Sequence, residues 1–197
     1  MTMARLIWPG CFTEKNNMFT AYHVVTDRPM RVGQIIRFNE THHSGVWQRV
    51  MDKMPQVQDI LAHPERYPDP LEHHTDVALR ELALEQVRQE KFPQYPSRMA
   101  CLYTSEHLEV AECWAQWFTN WGRPTFSIVK LGVEGRSFIG NANLCFDGTP
   151  DQAENLRLAE RYWRIDNSEE TERPVPEMLV DGEITVLEII REVNTNL

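Results

Sequence analysis

The sequence predicts one α+β domain over residues 1–197, built on a split central sheet of antiparallel or mixed strands with helices at its flanks. Three observations predict this class. The length of 197 residues suits one domain of ordinary size. Hydrophobic residues make up 42% and charged residues 25%, which excludes collagen-like and wholly disordered chains. Strand-like segments stand early and late with helical segments between them, an order that argues against a regular βαβ repeat.

The first half begins with strand-like segments on either side of a turn. Residues 20–25 (TAYHVV) mix aromatic and branched side chains, which predicts a buried strand. Pro29 marks the turn, and a second extended piece begins at 32–36 (VGQII). Residues 41–75 hold four prolines, so we expect a loop-rich excursion with only a short helix near 46–54.

Helical periodicity dominates the middle of the chain. Residues 76–90 predict an amphipathic helix. Residues 99–104 (MACLYT) predict a strand, after which Ser105 is expected to cap a helix that closes at Gly122. Residues 125–133 predict another strand, with 136–140 returning beside it.

The last quarter combines a helix with strands. A helix is expected to begin near Asp151 and to run through Trp163, followed by a polar, acidic and mobile loop over 166–176. Residues 177–190 then predict a β-hairpin around the turn dipeptide Asp181-Gly182.

Charge is unevenly distributed along the chain. Its 20 basic and 29 acidic side chains give a formal charge of −9, which disfavours a diffusely basic nucleic-acid binder. Twelve of the acidic residues but only five of the basic ones lie in 151–197. In 28–53 the balance reverses, which predicts a solvated surface or, less often, an anion-binding face. The basic residues of that segment are Arg28, Arg31, Arg37, Arg49 and Lys53.

Several classes of site and location are disfavoured. The four cysteines form no CxxC pair, and the pairs His42-His43 and His73-His74 have no third ligand at metal-binding spacing, so we expect no metal. The first ten residues fall short of a secretory signal, and no stretch approaches ~18 apolar residues. We therefore expect a cytoplasmic protein with no membrane partner.

Three side chains stand out because each interrupts an apolar, strand-like run: His23, Tyr103 and Glu177. Each alone has a structural explanation, as a core histidine, a tyrosine with its ring in the core, or an acid at a strand end. Taken together and in this order, they carry a resemblance.

The three motifs resemble those of the ADP-ribosyltransferase superfamily, in the group whose active site is written His-Tyr-Glu. Tyr22-His23 matches the pair on the first strand of that family. Tyr103-Thr104-Ser105 matches its aromatic and hydroxyl residues before a helix, and Glu177 matches the catalytic acid that opens a late strand. The resemblance spans about positions 20 to 190. The stretches YPSRMACLYTSE and NLRLAERYW are also similar to an uncharacterised bacterial domain family.

The resemblance implies an enzyme that takes NAD, releases nicotinamide and transfers ADP-ribose to a macromolecule. Glu177 would hold a hydroxyl of the nicotinamide ribose and stabilise its developing positive charge, while Tyr103 would stack on nicotinamide. His23, with Tyr22 beside it, would bind the adenosine-side ribose. Arg98 is expected to reach the pyrophosphate, or else to form a surface ion pair. Ser105 would support the NAD site in addition to capping its helix.

Several alternatives stay open at this point. Glu183 and Glu188 compete with Glu177 as the catalytic acid. Val175 stands where arginine-modifying transferases carry a second acid, which disfavours an arginine acceptor. The acceptor is slightly more consistent with RNA or DNA than with protein, and a bacterial toxin or anti-phage effector with a neutralising antitoxin would fit. NAD hydrolysis without transfer, or a non-catalytic module that binds NAD or another ligand, are the other interpretations.

Overall fold

The structure is a computed structural model that describes residues 18–26, 28–68, 70–164 and 174–193. In this part of the chain, two strands come first, two strands come last, and helices mixed with strands lie between them. The elements in order are β1 (Phe19–Val25), β2 (Ile35–Phe38), α1 (Gly45–Ala62), α2 (His73–Lys91), β3 (Leu102–Thr104), α3 (Leu108–Asn120), β4 (Ser127–Glu134), β5 (Ser137–Asn141), α4 (Gln152–Trp163), β6 (Pro176–Val180) and β7 (Gly182–Glu192).

The strands form two antiparallel sheets, which confirms the predicted α+β class. The larger sheet has the order β1-β4-β7-β2, and the smaller one has the order β3-β6-β5. A shared core lies between them, where Val129 and Leu131 of β4 pack with Met178 and Val180 of β6. Because the two sheets bury their facing sides against each other, strands that are distant in sequence come together.

The helices cover the remaining faces of the sheets. Helices α2 and α4 pack on the smaller sheet, with Leu84 of α2 and Trp163 of α4 fully buried in that core. Helix α1 packs on α2. Helix α3 covers β1 of the larger sheet, where Ala111 meets Val24.

Helix α1 is longer than the prolines predict. It spans 18 residues and continues through Pro55, although an interior proline removes one backbone hydrogen bond. Val50, Val57 and Ile60 are completely buried in the core that α1 shares with α2. Burying three such side chains contributes about 1.5–3 kcal/mol each, which outweighs a proline cost of about 3 kcal/mol.

The segment around Ser105 also differs from its prediction. The strand shortens to three residues and α3 begins only at Leu108, so Ser105 does not cap the helix. Ser105 instead exchanges two backbone hydrogen bonds with Tyr22, at 2.7 and 2.8 Å. This bridge joins β1 of the larger sheet to the end of β3 in the smaller one. The predicted end of α3 is confirmed, because Gly122 has a φ of 71°.

The hairpin predicted for 177–190 is wrong. Strand β6 pairs with β3 and β5, whereas β7 pairs with β4 and β2. The chain therefore passes from one sheet to the other at Asp181-Gly182. Residues 136–140 likewise pair with β6 and not with the strand before them. Most of the loop predicted over 166–176 lies outside the described residues.

The passage between the sheets is tightly held. Asp181 is buried and accepts hydrogen bonds from the backbone N–H of Arg136 at 2.8 Å and from its Nε at 2.9 Å. Gly182 has a φ of 83°, and a β carbon there would stand 2.2 Å from the carbonyl oxygen of Glu134. Both the backbone conformation and the space therefore require glycine.

Replacing Gly182 by alanine tests this requirement. We expect Gly182→Ala to destabilise the fold more than Gly33→Ala, since Gly33 has a similar φ of 79° but open space around it. The conformation alone costs about 1–2 kcal/mol, and each kcal/mol lowers Tm by about 2–4 °C at this size. Thermal unfolding followed by circular dichroism measures both variants. Equal losses would mean that the close approach at Gly182 carries no weight.

Candidate functional site

A cleft of about 1360 Å³ opens where the two sheets meet. Its walls include parts of β1, β2 and β3, the beginning of α1 and the start of β6. The six residues to which the resemblance assigns a catalytic or NAD-binding role all line it, whereas the competing acids Glu183 and Glu188 do not. The six are Tyr22, His23, Arg98, Tyr103, Ser105 and Glu177. The fold thus brings together side chains from three distant parts of the sequence.

The His23 ring is fixed against the neighbouring sheet. Its Nδ1 lies 2.7 Å from the carbonyl oxygen of Tyr103. A carbonyl only accepts, so Nδ1 carries the proton and Nε2 of the neutral ring is left as an acceptor. Burial lowers the pKa of His23 to about 4; the Tyr103 hydrogen bond opposes this and the positive charge of Arg123 adds to it. His23 is therefore neutral at pH 7.

The Glu177 carboxylate lies at the inner end of the cleft. It is 8% exposed and stands near the start of β6, where Trp114 Nε1 donates to the carbonyl oxygen of Pro176 at 3.1 Å. Its Oε1 accepts hydrogen bonds from Arg98 Nη1 and from the Tyr162 hydroxyl, both at 2.8 Å. Among the described residues, none donates to Oε2. One carboxylate oxygen is held while the other has no hydrogen bond from these residues.

Arg98 lies beneath this carboxylate and is only 5% exposed. Its Nε donates to Glu81 at 3.0 Å, and its guanidinium carbon lies 5.2 Å from the ring centre of Tyr103 and 4.9 Å from that of Tyr162. Its hydrogen bonds run to Glu81, Glu177 and Tyr162. The geometry therefore favours a role in holding Glu177 over the pyrophosphate contact or the surface ion pair expected from the sequence.

Glu81 is the second acid of the cluster and is 2% exposed. Burial alone would raise the pKa of Glu81, but the nearby guanidinium groups of Arg98 and Arg80 lower it. Arg80 Nη2 lies 3.2 Å from Glu81 Oε1. The carboxylate is therefore charged, and it balances the buried arginine.

Sequence reasoning missed both Glu81 and Tyr162. A weak signal existed for Glu81, because it stands three residues after Ala78 and three before Leu84 on the buried face of α2, where an acid is unusual. Tyr162 gave no such signal, since a tyrosine on the buried face of a helix is ordinary. Only the packing of α4 on the smaller sheet brings its hydroxyl to Glu177.

The cleft is basic although the chain is acidic. Its described lining holds six arginines and only two acids, Glu81 and Glu177, which both pair with Arg98. The arginines are Arg28, Arg37, Arg49, Arg80, Arg98 and Arg123. Three of these belong to the basic segment 28–53, whereas Lys53 of that segment pairs with Glu72 at 2.8 Å. An anion is therefore favoured at this cleft.

The competing acids lie elsewhere. Glu183, near the start of β7, pairs with Arg37 at 2.6 Å. Glu188 is exposed and stands opposite Lys130 in the larger sheet. Neither is among the residues that line the cleft, so position favours Glu177 as the acid.

The histidine pairs have local contacts. His42 donates from Nδ1 to the side-chain oxygen of Asn39 at 2.9 Å, and the ring of His43 stacks on Trp47 with centroids 4.5 Å apart. His73 lies at the start of α2, 3.7 Å from Asp76. Over the ranges that the structure describes, no group of three or more metal-ligating side chains is placed to hold an ion. No helix in those ranges has the length and apolar character to cross a membrane.

A family model described as "Protein of unknown function (DUF2441)" matches residues 21–192. The chain belongs to the DUF2441 family. The match begins in β1 and ends with the last residue of β7, so it includes all six cleft residues predicted from the sequence. No curated protein matches the chain. For this DUF2441 protein, function must therefore be inferred from the geometry of the cleft.

The pKa of His23 makes stability depend on pH. Because the folded state binds a proton at His23 only near pH 4, the unfolded state binds more protons between pH 4 and 6.5. The contribution of His23 to the free energy of unfolding is therefore complete above pH 6.5 and is lost as the pH falls toward 4. The loss of unfolding free energy is at most about 3 kcal/mol, since His23 is only partly buried.

Urea unfolding at pH 7 and pH 5 measures this loss. His23→Asn retains a donor near the position of Nδ1 but does not titrate. We therefore expect its free energy of unfolding to fall less between pH 7 and pH 5 than that of the wild type. His107→Gln is the control, because His107 is 68% exposed and lies outside the cleft. If His23→Asn keeps the wild-type drop, the ring is not held neutral in the folded protein.

Proposed function

We propose that this DUF2441 protein breaks the bond between nicotinamide and ribose in NAD and transfers ADP-ribose to a macromolecular acceptor. One observation carries the proposal: His23, Tyr103 and Glu177, which match the His-Tyr-Glu motif in order, line a single cleft. Three unrelated structural roles would not require these side chains to share a cleft. The residues come from β1, β3 and β6, as the resemblance implies.

The chemistry of the cleft fits NAD. The unprotonated Nε2 of His23 is an acceptor for a ribose hydroxyl, and Glu177 Oε2 is an acceptor for the hydroxyl of the second ribose. The ring of Tyr103 offers a stacking surface for nicotinamide. The lining arginines other than Arg98 suit a pyrophosphate. The volume of about 1360 Å³ exceeds the ~300–1000 Å³ typical of small-ligand sites, which leaves room for an acceptor.

Glu177 supplies the charge that the reaction needs. When the C–N bond breaks, its electron pair leaves with neutral nicotinamide and positive charge develops on the ribose. The nearby carboxylate stabilises that charge. A lone pair of the acceptor then forms the new bond to the same carbon, and the acceptor's proton passes to solvent. No acid is needed for the leaving group, so one carboxylate suffices where glycoside hydrolysis uses two.

Nucleic acid is the acceptor class that we favour. Arg28 and Arg49 are exposed and line the cleft, so they can neutralise a phosphate backbone beside the NAD site. The rings of Trp114 and Phe126 also line it and offer surfaces for bases. Protein acceptors and water are the competing outcomes of the experiments below.

Replacing Glu177 by glutamine tests the reaction. Glu177→Gln keeps the size of the side chain but removes its charge, so we expect nicotinamide release to fall by about 10²–10³-fold while NAD still binds. Chromatography of nicotinamide and calorimetry with NAD measure the two effects. Glu188→Gln is the control, because it removes an acid outside the cleft. No nicotinamide release by the wild type, with or without acceptors, would refute the proposed function. NAD binding without turnover would indicate a binding module.

The acceptor is tested with NAD labelled in its adenosine part and offered separately with RNA, DNA and lysate protein. We expect label on nucleic acid, and we expect Arg49→Ala to reduce that labelling about tenfold. The slope of the logarithm of labelling against the logarithm of salt concentration should also fall in magnitude by about one. Arg31→Ala is the matched control, since Arg31 belongs to the same basic segment but lies outside the cleft lining. Label on protein alone, or nicotinamide release without label transfer, would overturn the choice of nucleic acid.

A further inference from the structure

We infer that Arg98, Tyr162 and Glu81 act as positioning residues that fix the carboxylate of Glu177 for the reaction. The inference rests on the proposed function, but it concerns residues that the motif does not contain. The three come from the loop before β3, from α4 and from α2. Arg98 and Tyr162 donate to the Glu177 carboxylate, and Glu81 accepts a hydrogen bond from Arg98.

Two donors hold the carboxylate of Glu177. Arg98 and Tyr162 both donate to Oε1, and the hydroxyl of Tyr162 also accepts a hydrogen bond from Arg98 Nη1. This closed triangle of hydrogen bonds fixes the plane of the carboxylate. The two carboxylate oxygens therefore have different roles, because the protein holds Oε1 while Oε2 is left for a substrate hydroxyl. A carboxylate without these donors could rotate and present either oxygen.

The positive charge of Arg98 is balanced by a second acid, Glu81. A buried arginine next to Glu177 would by itself cancel much of the negative charge that a cationic ribose needs. Glu81 shares the positive charge of Arg98, since it accepts from Arg98 Nε at 3.0 Å. Arg80 and Arg98 together balance Glu81 and Glu177, so the cluster is neutral as a whole. Arg98 can then orient Glu177 while Glu81 offsets its positive charge.

Arg98 also contacts Tyr103, the residue proposed to stack on nicotinamide. The guanidinium of Arg98 lies 5.2 Å from the ring centre of Tyr103, and the Tyr103 hydroxyl donates to the Arg98 carbonyl oxygen at 3.4 Å. One residue therefore contacts both the ring proposed to stack on nicotinamide and the acid proposed to act on the adjoining ribose. Arg98 sets the distance between them, which is the distance that the nicotinamide riboside must span.

Stability alone is a weak reason for such a cluster. Buried ion pairs are often no more stabilising than apolar groups of the same volume, because both charges lose their hydration. This cluster sits among apolar residues of the smaller core, such as Leu179 and Phe138, and yet one end of it reaches the cleft. That placement fits a role in positioning the cleft acid.

Tyr162→Phe is the sharpest variant, because it deletes only the hydroxyl that donates to Glu177 and keeps the buried ring. We expect kcat for nicotinamide release to fall about tenfold while KM for NAD stays within twofold. Trp163→Phe is the matched control. Trp163 is the next residue of α4, is also fully buried, and donates one hydrogen bond to the Leu84 carbonyl oxygen at 2.8 Å, away from the cleft. We expect it to lower Tm with kcat unchanged.

Glu81→Gln provides a second test that does not depend on the folding of Tyr162→Phe. It keeps the size of the side chain and one carbonyl acceptor for Arg98 but removes the compensating charge, so we expect a similar fall in kcat with little change in KM. Each rate is divided by the concentration of folded protein, determined by circular dichroism.

The outcomes separate the two proposals. If the wild type releases no nicotinamide, the proposed function fails and this inference fails with it. If the wild type is active but Tyr162→Phe and Glu81→Gln retain the kcat of Trp163→Phe, the proposed function stands and the positioning role is refuted. A rise in KM with kcat unchanged would also refute it, because such residues would act on NAD binding.

Discussion

The buried positive charge of Arg98 is the constraint on which the arrangement of this protein depends. An arginine that is 5% exposed must be paired, and its partners arrive from three directions: Glu81 from α2, Tyr162 from α4 and Glu177 from β6. Satisfying that one side chain fixes how both helices pack on the smaller sheet. It also explains why an acid is tolerated in the core at the inner end of a cleft.

The separation of the strands into two sheets creates the place where this acid can act. The hydrogen bonds of Tyr22 with Ser105 and of His23 with the Tyr103 carbonyl join the sheets along one line. The cleft opens at that line and collects arginines from a chain whose net charge is −9. The same junction thus provides a neutral histidine, a tyrosine ring, a held carboxylate and a basic rim, which is the combination that supports NAD as the proposed substrate.

The sequence predicted the elements better than their pairing. Strand β1 and the start of α4 are predicted correctly, because the aromatic and branched residues of β1 and the Asp151 cap are local signals. Asp151 accepts from the N–H groups of Ala153 and Glu154. The exchange of sheets at Asp181-Gly182 was missed, since a two-residue turn between strands looks like a hairpin until tertiary pairing is known. The sequence identified His23, Tyr103 and Glu177 because they match the His-Tyr-Glu motif in order. Tyr162 was missed because its role depends on a contact 15 residues away in sequence and across two elements.

The short passage at Asp181 has a mechanical consequence. Strand β6 carries Glu177 and continues after one residue into β7, the strand that pairs on both sides within the larger sheet. The two walls of the cleft therefore share a continuous backbone on one side and the Tyr22–Ser105 bridge on the other. The one-residue connection and the bridge both restrain the separation of the two sheets. Selection among ligands therefore depends more on the side chains that line the cleft than on movement of the sheets.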